Sequence, residues 1–167
     1  MNNLWEELRI LSRLDSQMFP EFVDMLQNDQ ALFVVQEYVP GGELFNLLIN
    51  QWKFNWPVTV FYASQVVLML EHLHSHNILY RDLKLENLMI DSEGYLKLVD
   101  FGLSKKTKDR AYSICGTVNY IAPEMVWGKG YDHSVDIWAL GCVVYIMYTG
   151  WLPFKIDSQS PTLFQDL

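Results

Sequence analysis

The sequence predicts an α+β chain in two unequal parts: a small α/β piece over residues 1–39 and a mainly helical piece from residue 40 onward. Three features predict it. Leu4, Leu8, Leu11 and Leu14 recur at helical spacing. Residues 19–26 and 31–39 are apolar, aromatic and β-branched, with the polar turn Gln27-Asn28-Asp29-Gln30 between them. Two long apolar runs, residues 58–76 and 134–149, then follow the punctuation Pro40-Gly41-Gly42. Of the 167 residues 50% are apolar, ample for a core, which excludes disorder as the default.

Taken in order, residues 3–14 read as an amphipathic helix, because Glu6, Glu7, Arg9 and Arg13 fill the positions between the leucines. The two apolar segments after it read as a hairpin. Residues 43–51 form a short helix, and residues 58–76 a long one, apolar enough to be central. Short strands are expected over residues 87–90 and 95–99, separated by the turn Asp91-Ser92-Glu93-Gly94. A polar loop, residues 105–113, leads to Pro123 and the second long helix. Gly128-Lys129-Gly130 reads as a turn, and neither repeats nor low-complexity segments occur.

Twelve basic against twenty acidic residues leave a net charge of −8, which argues against a general grip on nucleic acid or anionic lipid. Phosphate must then be held locally. Cys115 and Cys142 make neither a metal spacing nor a disulfide framework, and residues 1–7 are no signal peptide. A reducing, cytoplasmic setting is expected. Residues 137–154 hold no charge, but Gly141, Gly150 and Pro153 interrupt them and Asp136 abuts them. They read as a helix buried on all sides of a soluble core rather than a membrane span.

The chemistry concentrates between Tyr80 and Gly102. Asp82 can accept a proton from a hydroxyl, Lys84 can neutralise a transferring phosphoryl group, and Asn87 with Asp100 offers hard oxygen ligands suited to Mg2+. Ordinary turn residues would explain any one of these, not the ordered string.

That string, Tyr80-Arg81-Asp82-Leu83-Lys84-Leu85-Glu86-Asn87, resembles the catalytic loop of eukaryotic protein kinases. Asp100-Phe101-Gly102 and Ala122-Pro123-Glu124 resemble the two ends of their activation segment, and Asp136-Ile137-Trp138-Ala139-Leu140-Gly141 the start of their buried large-lobe helix. Tyr80 before Arg81, Gly41-Gly42-Glu43-Leu44-Phe45 and Cys115-Gly116-Thr117 are similar to the AGC group, especially its cyclic-nucleotide-dependent branch. The resemblance implies a bilobal kinase-like fold, with residues 1–39 as part of the small lobe and hinge and residues 40–167 as part of the large lobe.

It further implies a serine/threonine protein kinase using ATP and Mg2+, with Asp82 as catalytic base, Lys84 on the phosphate, and Asn87 and Asp100 as metal ligands. Glu37 and Val39 would meet adenine through their backbone, Met89 would floor the base, and Glu43 would reach the ribose; Gln36 would be the gatekeeper. Ser113 matches the activation-loop phosphosite, the target of an upstream kinase, with Arg81 and Lys105 placed to pair with its phosphate. Glu43 and Glu86 match residues that read arginines upstream of the acceptor, so protein substrates with basic residues are expected. Ile114, Thr117, Val118 and Ile121 would line a substrate pocket. Val118, Leu85, Asn119 and Ile146 depart from the residues usual at their positions.

The family also uses a Gly-rich loop and a strand lysine paired with a helix glutamate. Glu7 matches that glutamate, yet no Gly-x-Gly-x-x-Gly occurs and the first lysine is Lys53. The last large-lobe helices, with the arginine that pairs with Glu124, would lie beyond Leu167. The chain is therefore expected to be an internal piece of a kinase domain, with a catalytically inactive binding or regulatory module as the alternative. His72 and His76 lie four apart on one helix face, but no third ligand accompanies them. Trp52, Phe54, Trp56 and Phe61 are expected in core or interlobe packing, and Cys115 is expected to be inert.

Overall fold

The computed structural model describes residues 16–154 together with Ile10, Ser12 and Leu14. The helix expected over residues 3–14, Glu7 included, otherwise lies outside the described residues; Ile10 is buried in the main core. Residues 16–20 form a turn, after which β1 (Phe22–Gln27) pairs antiparallel with β2 (Leu32–Gln36). The first strand starts three residues later than expected because Phe19 turns inward, 2% exposed, and Pro20 has no amide to donate to a ladder. Asn28 closes the hairpin: its Oδ1 accepts from the Gln30 and Ala31 amides at 2.9 and 2.7 Å.

A connector, residues 37–43, leads to α1 (Leu44–Gln51) and then α2 (Trp56–Ser75). Asn55 caps α2 by accepting from the Val58 amide at 3.0 Å, and Pro57 sits in its first turn. Thr59, Tyr62, Val66, Met69, Leu70 and Leu73, mostly three or four apart, turn one face of α2 into the core.

The chain then makes β3 (Ile78–Leu79), a 3-10 turn (Leu85–Asn87), β4 (Leu88–Ile90), β5 (Leu96–Leu98) and β6 (Lys105–Lys106). Asn87, expected in a strand, belongs to the 3-10 turn. A second 3-10 turn (Val118–Tyr120), α3 (Pro123–Val126) and α4 (Ser134–Thr149) follow. The strands form three separate antiparallel ribbons, β1 with β2, β3 with β6, and β4 with β5. The molecule is α+β, and its core is the seam between α2 and α4. There Val66, Met69 and Leu73 meet Val143 and Met147, with Leu44 and Leu48 of α1 packed alongside. A smaller apolar cluster gathers Leu79, Ala111, Ile121, Ala122, Met125, Tyr131 and Val135.

Two expectations need correction. Helix α4 is not buried on all sides, for Ile137, Tyr145 and Tyr148 are each about half exposed. Of the aromatic group only Phe54 is in the core; Trp52, Trp56 and Phe61 are 60, 58 and 43% exposed. Trp52 meets Trp151 edge-on, and Trp56 meets Tyr148 in the same way. Apolar sequence runs do not separate the two cases, because much of any folded surface is apolar. No helix among the described residues is long and apolar enough to cross a membrane.

Candidate active site

The loop after β3 is held from below by one buried carboxylate. Asp136, in the first turn of α4 and 1% exposed, accepts from the Arg81 amide at 2.8 Å through Oδ1 and from the Tyr80 amide at 3.0 Å through Oδ2. His74 Nε2 lies 2.8 Å from the same Oδ2. A buried carboxylate needs such partners; the two amides fix the loop to α4, and His74 joins α2 to the same carboxylate. Arg81, between Tyr80 and Asp82, takes a left-handed backbone, φ 71°, which the contacts on either side hold in place.

Tyr80 is fully buried. Its hydroxyl donates to the Val99 carbonyl at 2.6 Å, tying the loop to the segment that carries Asp100. Burial, reinforced by the charges of Asp100 and Asp82, holds the phenol well above its usual range, so it remains a donor. Phe101 packs edge-on against both Tyr80 and Phe19, with centroids 5.5 and 5.7 Å apart.

Asp82 is 8% exposed and sits at the centre of a closed network. Lys84 Nζ donates to its Oδ2 at 2.9 Å and to Thr117 Oγ1 at 3.0 Å. Thr117 Oγ1 in turn donates to Asp82 Oδ1 at 2.8 Å, and Asn87 Nδ2 donates to the Asp82 carbonyl at 2.9 Å and to Oδ2 at 3.2 Å. The Asn87 amide nitrogen is thus committed to the loop, which leaves its Oδ1 as an acceptor. Asp100, exposed and at φ 61°, accepts from the Gly102 amide at 3.1 Å.

On the other side, the connector is stitched to β4. The Gly41 amide donates to the Ile90 carbonyl and the Ile90 amide to the Gly42 carbonyl, both at 2.8 Å. A Cβ at Gly41 would collide with that Ile90 carbonyl. Glu43 bridges to Met89 in antiparallel fashion, and Met89 stands opposite Lys97 on β5. Val39 is buried, while the half-buried Glu37 takes the Lys97 ammonium at 2.7 Å. Glu86, in the 3-10 turn, has a buried Oε2 without a hydrogen-bond partner among the described residues. It faces Tyr120, whose phenol is pushed up by burial first and by the Glu86 charge second.

The segment after Phe101 returns to the loop. Arg81 donates from Nε to the Leu103 carbonyl at 2.7 Å, and from Nη1 to Ser113 Oγ at 2.9 Å and the Tyr131 hydroxyl at 3.2 Å. The structure so joins Arg81 and Ser113. Lys105 lies on β6 opposite Leu79 and makes no hydrogen bond to Ser113. Gly116, at φ 100°, lets the segment pass close to the Arg81 carbonyl; a Cβ there would sit 2.6 Å from that oxygen. Thr117 and Ile121 share a small cleft beside Asp82 with Tyr120 and Met125, whereas Ile114 and Val118 lie on the surface, 57 and 40% exposed. Glu124 is half-buried and accepts from Ser134 Oγ at 3.0 Å.

The sequence pattern of the protein kinase domain matches residues 1–167. The chain belongs to the protein kinase domain family. Its likeness is to cAMP-dependent kinases of the AGC group. It is 44% identical over 156 residues to the cAMP-dependent protein kinase catalytic subunit of Arthrobotrys oligospora, covering 93% of this chain and 30% of that protein. To cAMP-dependent protein kinase type 3 of Saccharomyces cerevisiae it is 45% identical over 149 residues, covering 89% of this chain and 37% of that one. To catalytic subunit 3 of Drosophila melanogaster it is 49% identical over 128 residues, covering 77 and 22%. This kinase-domain chain therefore spans well under half the length of these relatives.

Sequence reasoning misses two long-range contacts that hold the elements around this loop together. His74 reads only as pointing away from the face that His72 and His76 share; in the structure it joins Asp136, while the His72 and His76 rings meet at a tilt, 4.7 Å apart. Among the described residues no three His, Cys, Asp or Glu side chains come together as a metal site would need. Lys97 reads as no more than the polar member of Leu96-Lys97-Leu98, and a lone polar residue in an alternating strand gives no hint of a long-range partner. Cys142 is buried, its thiol pushed up to about 11 by that burial, and Cys115 is half-exposed.

Proposed function

We propose that this chain carries the phosphoryl-transfer centre of a serine/threonine protein kinase, moving the γ-phosphoryl of Mg·ATP to a Ser or Thr hydroxyl of a protein substrate. The observation that carries the reading is the closed network on Asp82, in which Lys84, Asn87 and Thr117 all aim at one buried carboxylate. Asp82 accepts the hydroxyl proton as the acceptor oxygen approaches phosphorus, while Lys84 offsets charge on the transferring group. Positioning supplies much of the rate in such a reaction, and the network fixes its members without outside help.

The donor set fits Mg2+, which takes oxygen ligands and few protein groups: Asn87 offers an amide oxygen and Asp100 an exposed carboxylate. Bound there, the ion would neutralise phosphate charge. Glu37 and Val39 would meet adenine, Met89 would lie under it, and Glu43 would take the ribose. In this reading residues 1–39 contribute the small-lobe side and residues 40–167 the large-lobe side, as part of a longer kinase. The unpartnered Glu86 oxygen supports a preference for arginine-bearing substrates, since a buried carboxylate oxygen seeks a donor. The Arg81 contact supports Ser113 as the site where an activating kinase would add phosphate.

The test is phosphotransfer from Mg·ATP to serine peptides with arginine or with glutamate upstream, by the protein as encoded and by its Asp82→Asn variant. The expected result is transfer to the basic peptide, reduced about a hundredfold or more by Asp82→Asn. Equal rates in the two proteins would overturn the assignment of Asp82. Mg·ATP binding without transfer would favour the binding-module alternative.

A further inference from the structure

The ion pair between Lys97 and Glu37 joins the connector to β5. Lys97 Nζ lies 2.7 Å from Glu37 Oε2, and that same oxygen accepts from the Glu21 amide at 3.1 Å. One carboxylate thereby gathers β5, the connector and the residue that leads into β1. The Lys97 side chain is 11% exposed, so its stem is sheltered, and cross-strand pairing sets it beside Met89 on one face of the ribbon.

The anchor is firm on the lysine side. The amides flanking Lys97 are both tied outside their ribbon: Leu96 donates to Gln65 Oε1 of α2 at 2.8 Å, and Leu98 donates to the Met18 carbonyl at 2.9 Å. A rigid path thus runs from the core helix through Gln65, β5 and Lys97 to the connector. The ammonium also holds the Glu37 carboxyl below its usual range, so the pair stays charged at neutral pH.

We propose that Lys97 is a positioning residue for the nucleotide: through Glu37 it sets where the connector presents the Glu37 and Val39 backbone groups. The proposal rests on the reading of the connector as the adenine-facing segment. In this reading Lys97 acts on the connector and not on the phosphates or the acceptor, so its loss changes how well the nucleotide is held rather than the transfer step. An arginine, longer but equally cationic, preserves the clasp.

The experiment compares the parent protein with Lys97→Met and Lys97→Arg in Mg·ATP titration calorimetry, transfer rate at saturating ATP, thermal unfolding without nucleotide, and amide exchange at Glu21. For Lys97→Met we expect about three- to tenfold weaker Mg·ATP binding, a transfer rate within about twofold of the parent, an unchanged unfolding midpoint, and faster exchange at Glu21. Lys97→Arg should bind within about twofold of the parent. Unchanged affinity and exchange in Lys97→Met would overturn the proposal. So would a lowered unfolding midpoint accompanied by a loss of affinity that Lys97→Arg does not restore, since that would mark a structural role. If the parent itself fails to bind Mg·ATP, the nucleotide reading falls, and exchange at Glu21 alone decides whether the clasp exists.

Discussion

Asp136 spends both carboxylate oxygens on groups more than fifty residues earlier in the chain, two backbone amides and one imidazole. Removing it strands buried donors and frees the loop that carries Asp82. Asp136→Ala is expected to lower unfolding free energy by about 3–5 kcal/mol, read as a fall in the denaturant midpoint. Asp136→Asn keeps one acceptor and is expected to cost less, about 1–3 kcal/mol. What was legible in the candidate site is the string Asp82, Lys84 and Asn87, with Asp100 further on, each marked by its chemistry and spacing. Asp136 was visible only as the first residue of a family-like helix start, and its role was not, because its partners are distant in sequence. Thr117 was visible through family resemblance and not through its own chemistry, since a lone threonine in a loop carries no signal until the fold sets it beside a carboxylate.

Among the elements, α1, α2 and α4 were legible to within two residues at most boundaries, because length and apolar density define long helices well. The ribbons were less so. A strand of two or three residues, such as β3 or β6, has no periodicity to read and exists because its neighbours bring the two segments together. The segment carrying Thr117 docks on the loop that carries Asp82 through Gly116, whose left-handed φ and contact with the Arg81 carbonyl leave no room for a side chain. Gly116→Ala is therefore expected to lift Thr117 from Asp82. The predicted outcome is a loss of transfer on the order of a hundredfold, with the α2–α4 core intact by near-ultraviolet circular dichroism.

At the scale of the whole molecule, acid should weaken the fold through its histidines. Burial holds the His72 and His133 imidazoles below their usual value, with His76 and His74 respectively adding repulsion. A histidine with a depressed native pKa binds fewer protons folded than unfolded, so stability is complete above about pH 6.5 and declines as pH falls toward the native value. Unfolding midpoints measured from pH 7.5 to 5.5 should fall, and His72→Gln with His133→Gln should flatten the slope. A flat profile in the parent would rule this out. Composition could not foretell it, because four histidines in a sequence say nothing about which rings become enclosed.

The three ribbons carry a mechanical meaning. Each described strand has a single partner, and no ribbon shares a strand with another. A continuous sheet would transmit a twist from one end to the other; here no strand-to-strand ladder carries the twist of one ribbon into the next. Continuity among them rests instead on separate ties, the Lys97–Glu37 pair between β5 and the connector and the Tyr80–Val99 bond between the ends of β3 and β5, so each of these joins can be cut by a single substitution.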